Sequence, residues 1–166
     1  NSISPFYYSN STAVDELGEV VRLVSPRKTI DKEFSKPDAK QNALLPYCTT
    51  EYLIAPNVLL THQVDHIQFW RVYPLDGASR CRVELNLFWP LPMDEEAERK
   101  ARLNVDLVWQ VTTDEDFPQS LAIHRNLASG VLPDLVFGSN EPALIYYHQN
   151  IAKAIGSERL IPLVEV

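Results

Sequence analysis

The sequence predicts one α+β domain: antiparallel strands meandering through its middle third, then helices. Three observations carry that prediction. Cys81, Val83, Leu85, Leu87 and Trp89 alternate with Arg80, Arg82, Glu84 and Asn86, the period of two that gives a strand one buried face and one polar or cavity-facing one. Leu75-Asp76-Gly77-Ala78 just before it is a hairpin signal. After Pro90 and Pro92 stop that strand, Leu103, Leu107, Val108 and Val111 recur as one helical face. The 166 residues suit a single domain, at roughly 150 residues per domain.

In chain order, residues 1–45 form an irregular leading segment, with one short strand expected over Glu19–Val24 and a charged, Pro-containing surface loop over Pro26–Lys40. Strands occupy 46–92. Cys48–Ile54 ends at Ala55-Pro56, Asn57–Gln63 follows, and Val64-Asp65-His66 turns the chain into Ile67–Tyr73. Helices occupy 94–156. Asp94 to about Val111 opens with acidic residues that suit a helix N-terminus. A second helix is expected to open near Thr112–Asp116, with Pro118 in its first turn, Gly130 at its end, and Phe117, Leu121, Ile123 and Leu127 buried. A third runs from Asn140 or Glu141 to Ile155, with Ser139 as cap, Pro142 early and Gly156 at its end.

Composition narrows the function. A net charge of −7 speaks against tracking phosphate backbones, so no nucleic-acid partner is expected. The five glycines are too scattered for a dinucleotide fingerprint or a P-loop. Cys48 and Cys81 are the only cysteines and lie far apart. That excludes a zinc ribbon, an iron–sulfur cluster or a disulfide scaffold within this chain, and fits a reducing, cytoplasmic compartment. Apolar runs such as Val58-Leu59-Leu60 are far short of a bilayer span, so no membrane association is expected. The chain begins at Asn1 and its only methionine is Met93, which suggests a portion of a longer protein.

Chemistry-bearing residues are sparse. His62 and His66 lie four apart, but extended chain separates them by roughly 13 Å, too far for one metal unless the turn folds them together. A strand histidine and a turn histidine is the favoured account. Asp116, Ser120 and His124 share a helical face at i, i+4 and i+8. A hydrolytic triad there lacks the strained elbow that exposes a nucleophile. Asp114, Glu115 and Asp116 cluster at an expected helix start, where a carboxylate caps a helix more often than it binds a metal.

Two segments taken together change the weighing. Ala55-Pro56-Asn57-Val58-Leu59-Leu60, with Asp65-His66, Arg71 and Pro74 after it, resembles the Pro-Asn strand and hairpin of the Rieske non-haem iron oxygenases. Asp106-Leu107-Val108-Trp109, Thr113-Asp114-Glu115-Asp116-Phe117, Ile123-His124-Arg125-Asn126-Leu127 and Ser129-Gly130 resemble a helix of the catalytic domain of their ring-hydroxylating α subunit. Glu141 and the helix holding Tyr146, Tyr147 and His148 resemble its C-terminal helix. The resemblance runs from about Tyr52 to Ile155, nearly two thirds of the chain.

It implies a helix-grip fold (START or Bet v 1-like), a curved antiparallel sheet closing around helices and an apolar cavity. It also implies Fe(II) held by two histidines and a carboxylate, the triad that leaves positions open for dioxygen and substrate. The carboxylate corresponds to Asp116, or to Asp114 if the alignment slips. His124 would orient Asp116 from behind, and Trp109 and Leu121 would help shape the substrate pocket. No catalytic residue beyond the metal ligand is assigned. The family implies a dioxygenase-type hydroxylation of an aromatic or other apolar molecule, a homotrimer, and a ferredoxin or reductase as electron donor. The Rieske [2Fe–2S] cluster would sit in a domain absent from this chain.

Two departures count. No histidine occurs before His62, so the family's two histidine ligands have no counterpart, and the isolated chain is expected to be inactive. His124 stands where the family usually has glutamine, and Asn126 where it has glycine. The alternative is a non-catalytic helix-grip domain that kept the cavity and carries an apolar small molecule.

Overall fold

A computed structural model describes residues 4–8, 11–36, 45–77, 79–132 and 134–157. Six strands form one antiparallel sheet in the order of the chain. They are β1 (Ala13–Leu17), β2 (Val20–Pro26), β3 (Cys48–Ile54), β4 (Val58–Gln63), β5 (His66–Pro74) and β6 (Cys81–Phe88). A short helix, α1 (Ile30–Phe34), interrupts the run between β2 and β3. Then come α2 (Glu95–Val111), α3 (Phe117–Ala128) and α4 (Pro142–Ile155). A curved antiparallel sheet followed by C-terminal helices is consistent with the helix-grip arrangement expected from the resemblance.

The strands form where alternation and turn chemistry agree. β3 spans the predicted residues, while β4, β5 and β6 differ from expectation by a residue or so at their ends. The leading segment is more ordered than its sequence suggests. β1 carries Asp15 and Glu16, poor strand formers, and forms because its ladder to β2 (Ala13 opposite Val24, Leu17 opposite Val20) is closed by Gly18 at φ 69°. The loop expected over Pro26–Lys40 holds α1, and residues 37–44 lie outside the described residues. On β6 the polar side is paired: Arg71 and Arg82 both reach Glu84, at 3.1 and 3.0 Å.

The two helices expected over 94–130 are one continuous rod. Asp94 caps it, its carboxylate accepting the Ala97 N–H at 2.8 Å. α2 then runs into a single π turn over Thr112–Asp116 and out into α3, with helical backbone throughout. Pro118 supplies the reason. It has no N–H for the Asp114 carbonyl, and its ring would collide with that carbonyl in a regular α-turn. Widening the turn before it relieves the clash, and the Phe117 N–H bonds five residues back to Thr112. Proline here re-spaces a helix instead of starting one.

The face predicted to bury α3 is open. Phe117, Leu121 and Ile123 are all exposed among the described residues. α3 has as its main neighbour the π turn from which it grows, not the sheet. Its amphipathic pattern is present and Leu127 is half-buried, but the rest of that face stays accessible to water.

α4 is secured at the opposite edge. The Tyr146 hydroxyl donates to the Gly18 carbonyl at 2.7 Å and the Tyr147 hydroxyl to the Pro56 carbonyl at 2.6 Å. Those carbonyls belong to the β1–β2 and β3–β4 turns, groups that strand pairing leaves free. Pro142 sits in the first turn of α4 and Gly156 adopts the left-handed conformation that ends it (φ 64°). Ser139 is not the cap: the position before Pro142 is Glu141, whose carboxylate accepts the Gly138 N–H at 2.7 Å.

Candidate functional site

A cavity of about 380 Å³ opens between the inner face of the sheet and α2. The register explains its floor. Glu51 pairs with Thr61 and Thr61 with Gln68, while Leu53 pairs with Leu59 and Leu59 with Trp70. Because facing residues of antiparallel strands project to the same side, these rows put polar and apolar side chains on one surface. Glu51, Leu59, Thr61, Gln63, His66, Gln68 and Trp70 line the cavity from the sheet. Leu107, Val108 and Val111 form the opposing wall, the helical face read from the sequence, with Asn104, Thr112 and Asp116 beside them. Leu103, grouped with that face, is 55% exposed.

The floor carries a directed hydrogen-bond chain along β5. Trp70 Nε1 donates to Gln68 Oε1 at 3.2 Å, Gln68 Nε2 donates to His66 Nε2 at 3.2 Å, and His66 Nδ1 donates to Asp65 Oδ1 at 2.8 Å. That sequence of donors selects the neutral histidine tautomer protonated on Nδ1. His66 also stacks on Trp89, ring centroids 5.0 Å apart. His66 is thus the first residue of β5, not part of the turn. His62 pairs with Ile67 and projects to the other side of the sheet. The two histidines therefore cannot share a metal.

A second polar knot closes the cavity beside β4. Gln63 Oε1 accepts from Arg27 Nη2 and from one of two neighbouring hydroxyls, Thr49 at 3.1 Å or Tyr7 at 3.4 Å, which are themselves hydrogen-bonded to each other at 2.7 Å. The Arg27 guanidinium lies 5.7 Å from the centroid of the Tyr7 ring. Glu51 makes no hydrogen bond or ion pair among the described residues, and burial pushes its carboxyl above the usual carboxylate range.

The predicted site residues separate. Asp116 is the last residue of the π turn; it lines the cavity, stays accessible to water and caps nothing. Because the rod is continuous there, no helix N-terminus assists its carboxylate, contrary to the expectation of a helix start. Asp114 lies on a shallow depression formed with Gln110 and Glu115, outside the cavity wall. His124 is exposed on α3, and Trp109 and Leu121 are 69% and 56% exposed and do not line the cavity. The Ser120 hydroxyl donates to the Asp116 carbonyl at 3.0 Å, one helical turn back, so it is engaged by backbone and not by His124.

Sequence reasoning missed Tyr7, Arg27, Glu51, Thr61, Gln63 and Gln68. One signal was available: Thr61 and Gln63, like His66, Gln68 and Trp70, fall at every second position of their strands. A polar residue on the inward side of a strand marks a cavity, because a packed core would leave it unsatisfied.

The sequence model described as ring hydroxylating alpha subunit (catalytic domain) matches residues 10–157. The chain belongs to this family. No curated protein and no solved structure gives a significant match. Membership supports an oxygenase catalytic domain whose complete enzymes use non-haem iron and a Rieske cluster. The residues here fit the iron in part. Asp116 offers an uncommitted carboxylate beside the cavity, the donor a hard or borderline cation prefers. Among the described residues no three His, Cys, Asp or Glu side chains come together, and both ring nitrogens of His66 are engaged. No helix among the described residues is long and apolar enough to cross a membrane.

Proposed function

We propose that this chain is the substrate-holding part of the catalytic domain of a Rieske-type oxygenase, and that Asp116 is its iron ligand. The observation that carries the reading is the position of Asp116: a carboxylate with no partner among the described residues, on a π turn at the edge of a cavity walled by the same helix. π turns re-aim side chains and recur at functional sites. When bound, Fe(II) supplies dioxygen activation with electrons from the cluster, leading to hydroxylation of an aromatic or other apolar substrate.

The chain's own residues hold and orient that substrate. Leu59, Trp70, Leu107, Val108 and Val111 give it an apolar seat. The Trp70–Gln68–His66–Asp65 chain fixes the ring beside it in one tautomer. In the complete protein we place the two histidine ligands and the cluster outside this chain, with a homotrimeric assembly, a ferredoxin or reductase donor and a cytoplasmic location.

Iron content of the complete enzyme tests the assignment. Asp116→Ala is expected to lower iron per subunit by at least about tenfold, since a charged ligand of three is lost, while circular dichroism stays unchanged. Iron retained in Asp116→Ala but lost in Asp114→Ala would move the ligand to Asp114. A second reading, a ligand-carrying domain without metal, is favoured by the lack of a three-residue donor set among the described residues. It predicts wild-type levels of ligand binding and no iron in the complete protein.

A further inference from the structure

The cavity holds a cation that has no ion-pair partner among the described residues. Arg27 is the only lysine or arginine among its described lining residues, is half-buried, and forms no ion pair with a carboxylate among the described residues. Among the described residues its one side-chain hydrogen bond goes to the neutral Gln63 amide, whose oxygen also accepts from the Tyr7–Thr49 hydroxyl pair. Its Nε is buried without an acceptor. A guanidinium partly withdrawn from water, sharing one neutral acceptor with a hydroxyl, is under-compensated, and the remedy with the best geometry is a carboxylate. The Tyr7 ring keeps the guanidinium plane from swinging freely, so the site is formed in advance.

We infer that the cavity takes an amphipathic acid, its apolar body against Leu59, Trp70 and Val108 and its carboxylate on Arg27. The inference rests on this cavity being the substrate site proposed above. Glu51 faces the same space without a partner among the described residues, and burial favours its neutral form, which donates a hydrogen bond to an anion where the ionised form would repel it. Asp116 is the remaining carboxyl of the lining and is the one reserved for the metal.

Three probes with one apolar body test this: phenylacetate, phenylethanol and phenethylamine, titrated calorimetrically into the complete enzyme without oxygen. Wild type is expected to bind phenylacetate at least about tenfold more tightly than phenylethanol, the worth of one charge-assisted pair. Arg27→Gln should erase that preference and leave phenylethanol within about twofold of wild type, while Arg27→Lys keeps part of it. Should Arg27→Gln fail to fold, the wild-type ratio of acid to alcohol decides alone. Equal binding of acid and alcohol, preference for the amine, no binding of any probe, or an unchanged ratio in Arg27→Gln each overturns the inference. Iron content of the same samples keeps the two readings apart. Iron without acid preference sinks only the carboxylate site; acid preference without iron sinks the oxygenase reading and leaves the site standing.

Discussion

Two helical regions meet the same sheet in opposite ways. α4 is tied down at defined points, with two tyrosine hydroxyls on turn carbonyls and Ala143 buried in its first turn. The α2–π–α3 rod stands off the sheet and encloses space. Leu107, Val108 and Val111 border the cavity, while Leu103, Trp109 and Leu121 remain exposed. Burial and hydrogen bonding hold α4 to the fold; the long rod instead spends much of its apolar surface on a hollow and on solvent. A region that packs closely contributes stability, and a region that stands off contributes a site.

The sharpest way to break this contrast is at Pro118. Pro118→Ala restores a donor for the Asp114 carbonyl and removes the ring that widens the turn, so the rod should revert to regular α-helix. Helix stability should rise by at most about 3 kcal/mol, seen as a higher urea midpoint. Asp116 should rotate relative to the cavity, and iron content should fall towards that of Asp116→Ala. Stability and iron occupancy would then move in opposite directions, as expected if the turn exists for the site. An unchanged iron content would separate the π turn from metal binding.

Smaller effects are expected at the other edge. Tyr146→Phe and Tyr147→Phe should each cost about 1 kcal/mol in equilibrium unfolding, with binding in the distant cavity unaffected. Burial already holds the Tyr147 phenol above its ordinary range, in keeping with its role as a neutral donor. A change in probe affinity on either substitution would show that the two regions are coupled after all.

The smallest effect concerns Glu51. Its folded pKa is raised, so its contribution to stability is fully present below the ordinary carboxylate range and is lost as pH rises through the raised value. Glu51→Gln removes that titration. The variant should match wild type at low pH and melt at a higher temperature than wild type at neutral pH and above. Arg27, His66 and Asp116 line the same cavity and are present in both proteins, so the difference isolates Glu51. Parallel melting curves across the pH range would show that Glu51 is solvated.

Much of this was legible in residue order. β3 to β6, the helix start near Asp94, the apolar stripe of Leu107, Val108 and Val111, and Gly156 as a helix end all follow from period, charge and turn chemistry. These are local signals, set within a few residues. β1 was not legible, because Asp15 and Glu16 become strand only through pairing with β2. Nor was the meaning of Pro118: the same proline starts a helix or widens one, depending on whether the turns before it are already helical.

The sequence by itself determined the class of fold through side-chain order and spacing and, through the resemblance, the family and the nomination of Asp116, with Asp114 as the alternative. The tertiary structure alone decided which residues share the hollow. Tyr7, Arg27, Glu51, Gln63, Gln68 and Asp116 come from six separate stretches of chain. Strand register and the turn of a helix bring them together, and those are fixed by pairing across the sheet, at distances along the chain that no local pattern spans.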